Sequence, residues 1–167
     1  SLEVMDRLII DAVEAAFSFG FPEDAQAVLL IELDGVDAGM EEQAADIVDI
    51  CNANSAQDVQ VAASEEERTL LWKSRKQAFG ALGRLAKSYL TQDGVVPRTR
   101  LPEVLRTVAE ASARHDVRIA NVFHAGDGNI HPILLFDESD PAQTERVLQA
   151  SGEILTKCVE LGGTITG

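Results

Sequence analysis

The dipeptide Asp127-Gly128 stands between two apolar runs, Ile119–Phe123 and Ile133–Phe136. Asp-Gly in that setting is a strong short-range signal for a β-hairpin, because a two-residue turn needs residues that tolerate positive φ. With Asp127 and Gly128 central, Gly126 faces Asn129, Ala125 faces Ile130 and His124 faces His131. Directly opposed residues of an antiparallel pair have Cβ atoms about 4.5–5.5 Å apart on one face of the sheet. Two imidazoles at that separation can hold one divalent metal ion. They can equally stack as a cross-strand pair on a polar face, and the spacing leaves both readings open. The chain has three histidines, and two of them sit symmetrically about this turn. Zinc takes three or four protein ligands, so the metal reading calls for a third from elsewhere.

A chain of 167 residues, 46% of them hydrophobic, is long enough for one domain with a proper core. Its 14 basic and 28 acidic residues give a net charge of −14, which argues against nucleic acid and anionic membrane surfaces as partners. No apolar run approaches the roughly 20 residues of a membrane span, and no charged-then-apolar signal segment opens the sequence. Cys51 and Cys158 lack close metal or redox spacing and fall at periodic apolar positions. They read as buried free thiols of a reducing compartment, and the expected location is cytoplasmic.

Leu2, Met5, Leu8, Ile9, Ala12, Val13, Ala16 and Phe17 recur at helical spacing and predict an amphipathic helix closed by Gly20. Pro22–Asp24 form a link. The run Ala27–Leu33 predicts a buried strand, about Ala38–Asn52 a helix, and Val59–Ala62 a shorter strand. Ser64-Glu-Glu-Glu67 is a capping box opening a helix to about Leu85. Val95-Val96 before Pro97 suggest a strand end at a sheet edge, with Arg98 exposed beyond it. Pro102 sits in the first turn of a further helix, with Leu101, Val104, Leu105, Val108 and Ala109 on one face. His115 falls near its end as a solvated residue. After the hairpin come a loop over Asp137–Asp140, a helix from Pro141 to about Leu161, a stop at Gly162-Gly163 and the start of a new element at Thr164–Thr166. This order predicts an α+β fold: a largely antiparallel sheet with helices packed on one face, built from ferredoxin-like units.

Arg75 lies on the apolar face of its helix with Leu71, Trp72, Phe79 and Leu82. An unpaired buried charge is costly, so this guanidinium needs a partner. The spacing allows an ion pair with one of the chain's carboxylates, a stem snorkelling at the edge of the stripe, or a fork onto a carboxylate that is not part of the protein.

The segment His124-Ala-Gly-Asp-Gly-Asn-Ile-His131-Pro resembles the signature of the C-terminal domain of FAD-linked 2-hydroxy-acid oxidases and dehydrogenases. That group includes the glycolate oxidase flavin subunit, D-lactate dehydrogenases and D-2-hydroxyglutarate dehydrogenase. Glu32–Gly35, Leu71–Phe79, Gln92–Arg98 and Gly162–Gly167 resemble the glycolate oxidase branch in order, so the likeness covers nearly the whole chain. It implies a cap, or substrate, domain whose sheet closes over a flavin, with Arg75 binding the substrate carboxylate. His124 and His131 are implied as ligands of a divalent metal, zinc by expectation, with Asp127, Gly128 and Asn129 as the supporting turn. In similar proteins the last segment continues with Glu-His-Gly, the Glu a third metal ligand and the His implicated in catalysis. The resemblance thus implies that residues 1–167 are a single domain cut just before half its active site, inactive by itself, with FAD on an absent N-terminal domain. It further implies electron transfer to an external acceptor, an iron–sulfur subunit being the expected partner. Phe79 and Thr91 stand where the hydroxyglutarate enzymes are expected to carry polar ligands, which favours a short acid such as glycolate or lactate. The rival reading is a ferredoxin-like module that binds a metal or small acid and does no chemistry.

Overall fold

Asp6 divides the first segment in two. Leu2–Asp6 form strand β1, and the Asp6 side chain then accepts from Ile9 N at 3.1 Å, capping helix α1, Arg7–Phe17. The expected single helix fails here because periods of 2 and 3.6 cannot be told apart over so few residues. The structure, a computed structural model, describes residues 1–35 and 38–166.

Strand β2, Ala27–Ile31, is shorter than expected and lies at the sheet edge, with Ala27 and Leu29 exposed. Helix α2, Met40–Ala53, buries no residue. Val59–Ala62 is not a strand: it is irregular and Val61 is exposed. Helix α3, Glu65–Ala81, starts at Ser64, whose hydroxyl accepts from Glu67 N at 3.2 Å, and a 3-10 turn, Leu82–Arg84, prolongs it. Strands β3, Ser88–Thr91, and β4, Asp93–Val95, lead through a 3-10 turn to helix α4, Leu101–His115. Strands β5, Arg118–His124, β6, Asn129–Ile130, and β7, Pro132–Phe136, follow. Helix α5, Pro141–Glu160, and strand β8, Thr164–Thr166, complete the described chain.

The strands form one antiparallel sheet, β2-β1-β5-β6-β4-β8, in which β7 continues β6 and β3 precedes β4. Ser88↔Phe136 and Val95↔Asn129 keep one register, so β3–β4 and β6–β7 act as two long, bent strands. Strand β4 therefore lies between β6 and β8, and the sheet edge expected at Val95-Val96 is covered. From β3 to β8 the two strand–helix–strand units interleave: β5 follows β4 with β6 between them, and β8 follows β7 with β4 between them. This is the split βαβ plan of ferredoxin-like folds.

The α+β class and antiparallel sheet are as expected, but the helices cover both faces. Along β5 the side chains alternate. Ala120 and Val122 join Met5, Ile9, Val13, Ala78, Leu82 and Ile133 under α1 and α3. Ile119 joins Val108, Ala111, Val147 and Ile154 under α4 and α5, and Phe123 packs on that side with Val104 and Cys158. A sheet buried on both faces explains why 117–123 and 132–135 read as nearly continuous apolar runs. Cys158 is buried and Cys51, on α2, only partly so; both are free thiols. His115 is not solvated: its ring is largely covered, with Nε2 3.0 Å from Glu153.

Candidate active site

The hairpin sets the site. His124 pairs with Asn129, not with His131, so the connection is the four-residue loop Ala125–Gly128. Among the described residues of this turn, only Gly128 has positive φ, at 84°. A two-residue I′ turn would need Asp127 to be left-handed as well, and it is not. Asp127 serves instead as a local acceptor, taking Asn129 N on Oδ1 at 3.0 Å. Gly128 admits no side chain, since an added Cβ would lie 2.0 Å from Val96 O.

The observed register differs from the expected one by two residues, and a shift of two keeps every side chain on its face. His124 and His131 are accordingly diagonal neighbours on one face, with ring centroids 5.1 Å apart and planes at 87°. Each has a carboxylate close to Nδ1. For His124 this is Glu3, opposite it on β1, at 2.8 Å; for His131 it is Asp93, at 3.7 Å. Burial holds the His131 pKa below its ordinary value, an effect that Asp93 opposes and His124 reinforces. Burial thus favours the uncharged form of the His131 ring.

Arg75 reaches the same face from α3. Its Nε donates to Glu3 Oε2 at 3.0 Å and its Nη2 lies 3.0 Å from the same oxygen. Arg75 is thus the buried ion pair that the helix pattern required, with side-chain exposures of 10% for the arginine and 8% for Glu3. The other edge of the guanidinium makes no hydrogen bond among the described residues. Asn129 adds a buried Oδ1 that lacks a partner, an acceptor where the guanidinium edge is a donor. Phe79 is more exposed than its place in the stripe implied, and Arg98 is exposed beside the loop, with Nη1 3.5 Å from Gly126 O.

The family model for the C-terminal domain of FAD linked oxidases matches residues 1–167. The chain belongs to that family. It is 47% identical over 166 residues to the glycolate oxidase subunit GlcD of Escherichia coli K12, covering 99% of this chain and 33% of that protein. GlcD of Bacillus subtilis strain 168 is 39% identical over 167 residues, 100% of this chain and 36% of the relative. The mitochondrial D-lactate dehydrogenase (cytochrome) of Arabidopsis thaliana is 26% identical over 168 residues, 99% and 29% of the two chains. The chain thus spans about a third of the length of the relatives it matches.

Two carboxylates of this FAD-linked oxidase domain escape the sequence reading, Glu3 and Asp93. Glu3 is hidden by the helical reading of Leu2–Phe17, which puts it on a polar face. Strand alternation would have placed it beside Met5, facing inward. Among the described residues no group of three or more His, Cys, Asp or Glu is placed to hold a metal ion. Of the two imidazoles only His124 has Nδ1 hydrogen-bonded to a carboxylate, Glu3 at 2.8 Å; His131 Nδ1 lies 3.7 Å from Asp93, and two rings are fewer than the three or four protein ligands that zinc takes. A flavin finds no fit in the described residues: Gly126 and Gly128 lie in a turn between strands, not in a phosphate loop before a helix. Among the described residues no helix is long and apolar enough to cross a membrane. Gly167, the last residue of the Gly162–Gly167 segment, lies outside the described residues.

Proposed function

We propose that this chain is the cap, or substrate, domain of an FAD-dependent enzyme that oxidises a small 2-hydroxy acid of the glycolate or D-lactate type to the 2-oxo acid. The observation that carries this reading is the convergence of Arg75, His124 and His131 on one face of the sheet, from a helix and both arms of a hairpin. Arg75 binds the substrate carboxylate with the edge of its fork that Glu3 does not occupy. His124, with its Nδ1 proton directed to Glu3, offers Nε2, and His131 offers the lone pair of a neutral ring. A divalent metal, zinc by preference, would be held by these two rings only together with further ligands, and would supply Lewis acidity at the substrate hydroxyl. FAD bound elsewhere in such an enzyme would supply the two-electron oxidant for the 2-hydroxy acid. Strand β8 borders the site: Thr166 pairs with Asp93, the carboxylate beside His131.

The short acid is favoured by Phe79 and Thr91, which offer little to a second substrate carboxylate. The iron–sulfur acceptor and the cytoplasmic location rest on the resemblance and on composition. Arg75→Lys in the full-length protein tests the reading. A bidentate fork becomes a point charge, and kcat/KM for the 2-hydroxy acid falls by about 100-fold or more. Turnover that is independent of Arg75 and both histidines would favour the rival, non-catalytic module.

A further inference from the structure

One helix and one stretch of sheet in this chain each lack a cover. On α2, Met40, Ala44, Ile47, Val48 and Cys51 recur at helical spacing as one apolar stripe, and none of them is buried. On the sheet, Leu2 and Val4, with Ile31 and Leu29 opposite them, point to the α4 side, because Met5 and Leu30 point to α1 and α3. Leu29 is 47% exposed. Helix α4 covers β5 but leaves a groove of about 380 Å³ over β1 and β2, walled by Val4, Ala27, Leu105 and Phe123. The one carboxylate that lines it is already engaged: Asp6 Oδ2 takes Asn121 N at 2.6 Å and Asn121 Nδ2 at 2.9 Å. Asn121 Oδ1 is left as a single unpaired acceptor. The groove thus calls for apolar cover, not for a cation.

We propose that α2, open in this structure, is a strap that closes on the groove and lays its stripe on Val4, Leu29 and Ile31 beside α4. The proposal does not depend on the roles given above to Arg75 and the histidines. The chain is tied for such a movement. Glu32, next after β2, meets Arg68 of α3 at 2.6 Å, so both ends of the excursion that contains α2 are held at one end of β2. The eight residues between Ile31 and Met40 reach up to about 26 Å when extended, and α2 is about 21 Å long against about 17 Å for β2. Stripe and groove are thus within reach of each other in one molecule, and closure takes both out of water together. It also braces from behind the strand β1, whose other face carries Glu3 between Arg75 and His124. A strap that opens without unfolding the sheet still exchanges its amide hydrogens sooner than α4 does.

The test joins the two surfaces covalently. In the full-length protein, Leu29→Cys is paired with the native thiol of Cys51 on the stripe, and a short bis-maleimide is added. The reference is Leu29→Cys/Cys51→Ser/Asp49→Cys, which moves the thiol to the polar face of α2. Peptide mapping of the monomer is expected to give about 10-fold more cross-link between β2 and α2 in the first protein than in the reference, because closure raises the effective concentration of one thiol at the other. Ile47→Asp, which puts a charge into the closed contact, is expected to bring the yield down to that of the reference with the circular dichroism unchanged. Equal yields in the first protein and the reference, or a yield that Ile47→Asp leaves untouched, overturn the proposal. So does a cross-link found only in dimers, which would place the stripe of one copy on the groove of another. Ala27→Cys, on the same side of β2, repeats the comparison where Leu29→Cys does not fold.

Discussion

At the scale of single residues, the chain spends its polar groups in two ways. Some are buried and committed, as in the Glu3–Arg75 pair; others close helix ends. Asp140 belongs to the second kind, accepting from Ala142 N at 2.9 Å and Gln143 N at 3.3 Å at the start of α5. The Gln143 side chain first, then the two backbone N–H groups, hold the Asp140 carboxyl below its ordinary value of 3.8. A depressed carboxyl contributes stability that is present above its unfolded pKa and lost as pH falls through the folded one. Asp140→Ala therefore lowers the urea midpoint at pH 7, and its gap to the native protein narrows below pH 3.8; midpoints across that range check this. Sequence alone disclosed Arg75 as a charge needing a partner, because a helical stripe shows which residues turn inward. It did not disclose which carboxylate answers it. Glu3 lies 72 positions away, and only strand pairing brings it there.

At the scale of elements, the long helices α3, α4 and α5 were legible almost to the residue, since caps and prolines mark their ends. The first strand was lost to a helical reading, and β3 was missed because Ser88–Thr91 is too short and mixed to show a period. The hairpin was legible in kind but not in register. Asp-Gly signals a turn, but the backbone angles of Asp127 decide its length, and composition does not set them. Gly128 is the element's fixed point: at φ 84° its added Cβ would meet Val96 O at 2.0 Å, while its own carbonyl receives Val96 N at 3.0 Å. Gly128→Ala combines left-handed strain with overpacking and costs about 3 kcal/mol of stability by urea unfolding.

At the scale of the whole molecule, the sheet is buried on both faces from β1 to β7, while α2 stands apart with Ile50 61% exposed and no buried residue. Its amphipathic spacing predicted the element correctly and implied an interior for it, yet periodicity reveals a face without revealing what covers it. Backbone hydrogen bonds of an element that buries nothing open without global unfolding. Hydrogen exchange followed by mass spectrometry is expected to show Met40–Ala53 exchanging far faster than α4, α5 and β5, with similar protection across those three. Equal protection of α2 and α4 would show that α2 shares the cooperative core.

The loop between His124 and Asn129 carries four residues, and a loop of two would also seat both histidines on one side of the sheet. Length of the loop and register of the pairing are separate matters. An inserted residue can be taken up by the loop as long as His124 stays opposite Asn129, and both rings keep their side. A slip of the pairing by one residue inverts the pleat of 129–136, sends His131 toward the α4 side among Phe123 and Cys158, and brings Leu134 to the side now held by Ile133. Natural variation at this turn is therefore expected in how many residues it holds, and not in which strand residues it sets opposite one another.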